Sequence, residues 1–246
     1  MTGFDVIPVI DLKDGMVVHA REGRREEYNP IRSRLIPGAE PSGIVEALLA
    51  VHSFKRLYIA DLDAIQRHGD NMESIRTIQR NFPDLELWAD TGIGDVTALH
   101  RWLDTEIGGP VIGSESLSDA GFLSVVRDHC KNPGPVLSLD YQGNEFKGPS
   151  DLLEHPERYW PPRVLAMNLQ RVGSDKGPDL ALIVELARRV PGCEVYAAGG
   201  VRSIGDLESI AAAGAAGALI ASALHDRRIG SSELARFENL SAQRKK

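Results

Sequence analysis

The chain has 246 residues, the length of one α/β barrel and ample to bury a core. Its net charge of −7 excludes a general affinity for nucleic acid or an anionic membrane surface. Two cysteines, Cys130 and Cys193, show neither metal-site spacing nor a disulfide framework, and the N-terminus carries no leader pattern, so a cytoplasmic protein without membrane contact is expected.

Short apolar runs alternate with helical patterns along the whole chain. Val6 to Ile10 reads as the first strand, and Met16 to Ala20 as a hairpin-like return after Lys13-Asp14-Gly15. Residues 21–42 are charged and carry Pro30, Pro37 and Pro41, which predicts a long mobile loop at a barrel mouth. The basic cluster Arg21 to Arg25, interleaved with Glu22, reads as a solvated face, and Arg244 to Lys246 as a frayed terminus. Ser42 to Ser53 is a helix, Arg56 to Ala60 a strand and Asn71 to Asn81 the next helix. Strands follow at Leu85–Ala89, Gly109–Ile112, Val136–Leu139, Val164–Met167, Cys193–Ala197 and Ala218–Ile220. Helices at Val96–Leu103, Ala120–His129, Leu180–Val190 and Leu207–Ala213 lie between them, and residues 143–162 read as a second long loop. Eight strand–helix units with buried, β-branched strands specify a (β/α)8 TIM barrel as one domain over residues 1–246, with a doubly wound open sheet as the alternative.

The strand Cys193–Ala197 runs into Gly199-Gly200 and then a helix start with Ser203 as N-cap. Adjacent glycines bring backbone N–H groups close to an anion, and a helix N-terminus adds its positive end. Ala218 to Leu224 repeats strand, small residues and helix start, so Gly199, Gly200, Ala221 and Ser222 read as a phosphate cup at the ends of two neighbouring strands. The bland alternative is an ordinary turn that needs glycine for its geometry.

The chain repeats itself at half length. Asp61 matches Asn168, Gly92 matches Gly200 and Ser114 matches Ser222, at offsets of 107 and 108 residues. Two duplicated half-barrels, about 1–130 and 131–230 with a tail at 231–246, account for the constant register. The symmetry makes Asp11 and Asp140, each ending an apolar strand, opposed carboxylates across the C-terminal mouth. Such a pair suits general base and general acid, although an aspartate after a strand also commonly caps a loop.

These residues resemble the HisA/HisF family of histidine-biosynthesis barrels, on the HisA or ProFAR isomerase side. The similarity rests on Ile7 to Gly15 with Val17-Val18, Ala60-Asp61-Leu62, Gly113-Ser114, Leu137 to Asp140 and Ala198 to Leu207, in that order from residue 6 to about 229. It implies an Amadori rearrangement of an aminoaldose carrying a phosphate at each end, with Asp11 as base and Asp140 as acid. It also implies one phosphate at Gly199, Gly200, Ala221 and Ser222, and the other at Gly92, Gly113 and Ser114. Asp61, Asp90, Thr91 and Asn168 belong to the same altered first-half site.

The departures narrow that expectation. The family's first-half turn is a glycine run followed by Ile-Arg, whereas here it reads Asp90-Thr91-Gly92-Ile93-Gly94-Asp95. A carboxylate about 4 Å from a phosphate costs about 4 kcal/mol at an effective dielectric of 20. Glu115 makes the same end more acidic, and Met167-Asn168 and Arg171-Val172-Gly173 replace the family's residues after the sixth strand. A substrate with one phosphate is therefore expected, its other end neutral or cationic. The chain also resembles HisA-related proteins of archaea and methylotrophs, which implies a place in making a methanopterin- or methanofuran-type cofactor. ProFAR isomerase itself and a non-catalytic barrel that binds a phosphorylated metabolite or a partner enzyme are the alternatives. Lys13 and Lys147, read as loop residues, offer no Schiff-base lysine at a strand end. The scattered histidines give no metal site, and no cofactor is expected.

Overall fold

The computed structural model describes residues 3–105, 107–131 and 133–243, with the side chains of 239–243 left aside; the basic tail at 244–246 lies outside the described residues. Ten strands form one sheet: β1 (Asp5–Lys13), β2 (Met16–Val18), β3 (Arg56–Asp61), β4 (Glu86–Asp90), β5 (Gly109–Gly113), β6 (Val136–Gln142), β7 (Glu145–Lys147), β8 (Arg163–Asn168), β9 (Glu194–Ala198) and β10 (Gly217–Ile220). Eight of them pair in parallel in the order β10-β9-β8-β6-β5-β4-β3-β1, and β10 pairs with β1 to close the barrel. Helices such as Pro41–Val51, Met72–Asn81, Leu180–Arg189 and Ile204–Ala212 follow the strands.

The barrel strands are apolar on both faces because both faces are covered. Alternate residues divide between two cores. Ile7, Tyr58, Trp88, Val111, Val136, Leu165, Tyr196 and Leu219 fill the barrel interior. Val6, Ile10, Leu57, Ile59, Leu87, Leu137 and Val164 pack outward against helix residues such as Ile44, Ile75, Leu99 and Leu186. At the N-terminal end, Trp88 plugs the interior with Tyr196 edge-on at 5.0 Å. The guanidiniums of Arg56 and Arg163 lie over the Trp88 ring at 5.5 and 5.2 Å.

Both half-barrels open with the same device. β2 folds back on β1, pairing Asp11 with Val18, and β7 folds back on β6, pairing Asp140 with Lys147. The second hairpin corrects the reading of residues 143–162 as loop: β7 is followed there by helical turns at Asp151–Glu154 and Pro156–Tyr159. The two hairpins also move Lys13 and Lys147 from loops into strands, where Lys13 Nζ donates to the Arg25 carbonyl and Lys147 pairs with Glu145.

The segment expected to be a mobile loop is tied down by its own backbone. Val17 N–H donates to Ala39, Ile31 N–H to Val17, His19 N–H to Asn29, Glu22 N–H to Val172 and Arg34 N–H to His225. These bonds fold residues 19–40 over the C-terminal mouth, with a 3₁₀ turn at Arg25–Glu27. Among the described residues no helix is long and apolar enough to cross a membrane.

Candidate active site

A cavity opens where the strands end at the C-terminal face. Asp11, Asp90 and Asp140 line it from the ends of β1, β4 and β6, and Arg25, Tyr28 and Glu115 line it from the loops above. The strand register sets this arrangement: Asp11 lies beside Ala60 and Ala60 beside Asp90, while Asp140 lies beside Met167. Asp11 follows Ile7 and Val9, Asp90 follows Trp88, and Asp140 follows Val136 at the inward-facing parity.

The same parity sends two expected site residues elsewhere. Asp61 is one step out of phase with the inward Tyr58 and Ala60. Its carboxylate accepts from Ala64 N–H and from both the backbone and side chain of Asn71, capping the turn Leu62–Ile65. Asn168 is out of phase with the inward Leu165 and Met167. It donates to the Gly143 carbonyl and to Asp179 at 2.8 Å, bracing the loop before helix Leu180–Arg189. Neither side chain lines the cavity, and nor do Thr91, Gly92, Gly113 or Ser114.

The first-half turns are filled by the protein's own carboxylates. Asp90 Oδ1 accepts the Gly92 N–H at 3.0 Å. Asp140 Oδ2 accepts the Glu115 N–H at 3.1 Å, and Oδ1 accepts the Ser138 hydroxyl at 2.6 Å. Ser114 spends its hydroxyl proton on the Lys147 carbonyl at 2.6 Å and accepts the Asp140 N–H at 2.9 Å. Gly113 is glycine for a matching reason: a Cβ there would stand 3.2 Å from Asp90 Oδ2 and 3.3 Å from Asp140 Oδ2.

The second-half turns are left open. Gly199, Gly200, Ala221 and Ser222 line the cavity with Ser174 and Arg228. The N–H groups of Gly200, Val201 and Ala221 find no backbone acceptor among the described residues. Both glycines have positive φ, +94° and +83°, and a Cβ on Gly200 would meet the Gly177 carbonyl at 2.2 Å. The turn therefore requires glycine for its own geometry, whatever it binds. Arg202 does not enter the cavity; it forks onto Asp206 and reaches the Asp175 carbonyl, holding the facing loop. Ser203 stands at the N-cap without a side-chain capping bond.

Electrostatics favour proton transfer at neutral pH. Burial pushes the Asp11 carboxyl up to about 7, against the pull of Arg25. Burial likewise holds Asp90 and Asp140 at about 7, against their hydrogen bonds to Gly92 and Ser138. Asp11 has no hydrogen-bond partner among the described residues, so its carboxyl is free to meet a ligand; Asp140 is held rigidly by its donors. Arg25 pairs with Glu115 across the mouth, a correction to its reading as solvated surface.

The structure adds residues that sequence reasoning missed. Tyr58 lies inside the barrel one pair below Ala60, and strand alternation was the available signal for it. Arg25, Tyr28 and Arg228 reach the cavity from loops, while His19, just past the end of β2, places Nε2 3.3 Å from Ser222 Oγ. Neither they nor His19 had any local signal.

A closed eight-stranded barrel with carboxylates at the strand ends has the architecture of barrel enzymes whose chemistry sits at the C-terminal mouth. The chain belongs to the histidine biosynthesis protein family, whose model matches residues 5–230. It is 30% identical over 89% of its length to an uncharacterized protein of Methanocaldococcus jannaschii, covering 92% of that protein. It is 29% identical to the 1-(5-phosphoribosyl)-5-((5-phosphoribosylamino)methylideneamino)imidazole-4-carboxamide isomerase of Halorhodospira halophila, over 90% of this chain and 92% of that one. The enzyme of the same name from Myxococcus xanthus is also 29% identical, over 94% and 97% of the two chains.

Proposed function

We propose that this protein is an aldose–ketose type isomerase of a HisA-like kind, acting by acid–base chemistry on a small metabolite with one phosphate. Asp11, unpartnered at the end of β1, is the base that removes a proton from carbon. Asp140 is the acid that protonates the ring oxygen as the C1–O bond of the aminoaldose opens, so that loss of the C2 proton to Asp11 gives an enaminol. Asp11 then returns its proton to C1 while Asp140 takes the C2 hydroxyl proton, which leaves the ketone and restores both carboxyls. Gly199, Gly200, Ala221 and Ser222 hold the phosphate, with donors among the N–H groups of Gly200, Val201 and Ala221 that find no backbone acceptor among the described residues.

The single observation that carries the reading is the asymmetry between halves. The isomerases related to this chain are named for a molecule with two phosphoribosyl groups. In this chain the first-half amides of Gly92 and Glu115 are occupied by Asp90 and Asp140. That occupation supports a substrate other than the one in the relatives' name, and it leaves room for a step in one-carbon cofactor synthesis.

Replacing Asp11 with asparagine tests the assignment. Turnover of candidate sugar phosphates is expected to vanish while inorganic phosphate still raises the melting temperature. An active Asp11→Asn enzyme refutes the base. A wild-type protein stabilised by sugar phosphates that turns none of them over supports the second reading, a binding barrel, which the structural use of Asn168 favours.

A further inference from the structure

The cavity end nearest β4 carries polar groups that the acid–base pair does not use. Asp90 commits Oδ1 to Gly92, but Oδ2 meets no donor among the described residues, and the residue is only 7% exposed. Below it Tyr58, 4% exposed, lines the same cavity with a hydroxyl that has no hydrogen-bond partner there. Burial, and after it the charges of Asp90, Asp140, Asp11 and Glu115, hold that phenol well above its ordinary ionisation range. The remaining charged or titratable groups at this end are Tyr28 and Arg25, and Arg25 is committed to Glu115. The Tyr58 phenol and the Asp90 carboxylate oxygen belong to largely buried residues, open onto one cavity and have no protein partner among the described residues, so they call for a ligand that brings its own hydrogen-bond donors.

The ligand is not an anion, because carboxylates hold the nearby amides and line the walls. A bare metal ion fits poorly too. Among the described residues the only trio of acid or histidine side chains with ligand atoms within 4.8 Å of one another is the exposed Asp151, Glu154 and His155. The cavity carboxylates are spread more widely, a spacing suited to a group whose N–H donors point in several directions.

We propose that this end of the cavity binds an organic nitrogen cation, a protonated amine or amidinium, with Asp90 Oδ2 as its principal acceptor and the Tyr58 hydroxyl beside it. The proposal rests on the single-phosphate reading, since it assigns the opposite end of the same substrate. Charge-assisted hydrogen bonds to a buried carboxylate are the strong kind, so Asp90 discriminates an amine from a methyl group of similar size. Burial holds the Asp90 carboxyl at about 7, and a bound cation draws it back to the ionised form. Binding at neutral pH therefore releases a proton.

The test is calorimetric titration of the full chain at pH 8 with ω-aminoalkyl phosphates of increasing length against n-alkyl phosphates of matching length. The best aminoalkyl phosphate is expected to bind about tenfold tighter than its alkyl counterpart. Asp90→Asn should erase that preference and leave alkyl phosphate affinity unchanged; Tyr58→Phe should narrow it. Equal affinity of the two series in wild type, or a preference that survives Asp90→Asn, overturns the cation site while the phosphate reading stands. If neither series binds, the phosphate reading fails and the proposal falls with it. A magnesium requirement for the amine preference also overturns it, in favour of a metal site.

Discussion

Asp140 accepts a hydrogen bond from the backbone N–H of Glu115 at 3.1 Å, so the amide that begins the turn after β5 is bound to a carboxylate of the next barrel strand. Asp90 does the same to Gly92 at the turn after β4. In the half that should mirror the open Gly199-Gly200 turn, both turn amides are bound to carboxylates of the chain itself, one from each half.

Asp140 is thus held by the contacts that would orient it as an acid. Asp140→Asn replaces one acceptor oxygen with an amide that opposes the Glu115 N–H or the Ser138 hydroxyl. We expect kcat to fall by about 10²–10⁴-fold, the usual worth of a general acid. Inorganic phosphate should bind unchanged, as steady-state kinetics and calorimetry on one preparation will show.

The pH–rate profile should be a bell centred near neutrality. Turnover requires Asp11 ionised and Asp140 protonated, and burial places both carboxyls at about 7. The two limbs belong to the coupled set and not to single residues. Activity should fall on both sides within about one to two pH units of the maximum. A profile flat from pH 5 to 9 contradicts the acid–base assignment.

Stability should run the other way from function. Asp90 has a folded value of about 7 against the ordinary carboxylate value of 3.8, so between those values the folded chain holds more protons than the unfolded one. Stability then falls as pH rises from about 4 to 7 and is flat above. Asp90→Asn removes the penalty, so the variant should be more stable than wild type at pH 8. A gain on the order of 2 kcal/mol corresponds to a melting temperature roughly 4–8 °C higher. The difference should shrink towards pH 5, and thermal melts at the two pH values check the sign.

Gly200→Ala should be among the most damaging single-methyl changes. The new Cβ meets the Gly177 carbonyl at 2.2 Å and the backbone φ is +83°, so both sterics and strain oppose it. Gly199→Ala, whose nearest atom is 3.1 Å away, should cost less. We expect Gly200→Ala to lose phosphate-induced stabilisation, measured by melting with and without phosphate, before Gly199→Ala does.

Eight buried strands, the half-length repeat and the positions of Asp11, Asp140 and Gly199-Gly200 could be read from local pattern alone, because strand burial and tight turns leave signals within a few residues. Two features depended on context beyond the local sequence. The family resemblance puts Asp61 and Asn168 in the substrate site, whereas the two-residue alternation of β3 and β8 turns their side chains away from the cavity. Glu145-Phe146-Lys147 has little apolar pattern of its own, and β7 exists through its pairing with β6.

By itself, the amino-acid sequence determined a duplicated barrel with two carboxylates at its mouth and one glycine turn built for close approach. Only the tertiary structure decided what those carboxylates touch. Asp90 caps Gly92, Asp140 caps Glu115, Arg25 crosses the mouth to Glu115, and Tyr58 sits unpartnered beneath them. Strand order and register bring these groups together across separations that no local pattern encodes, and burial then shifts their protonation to neutral pH.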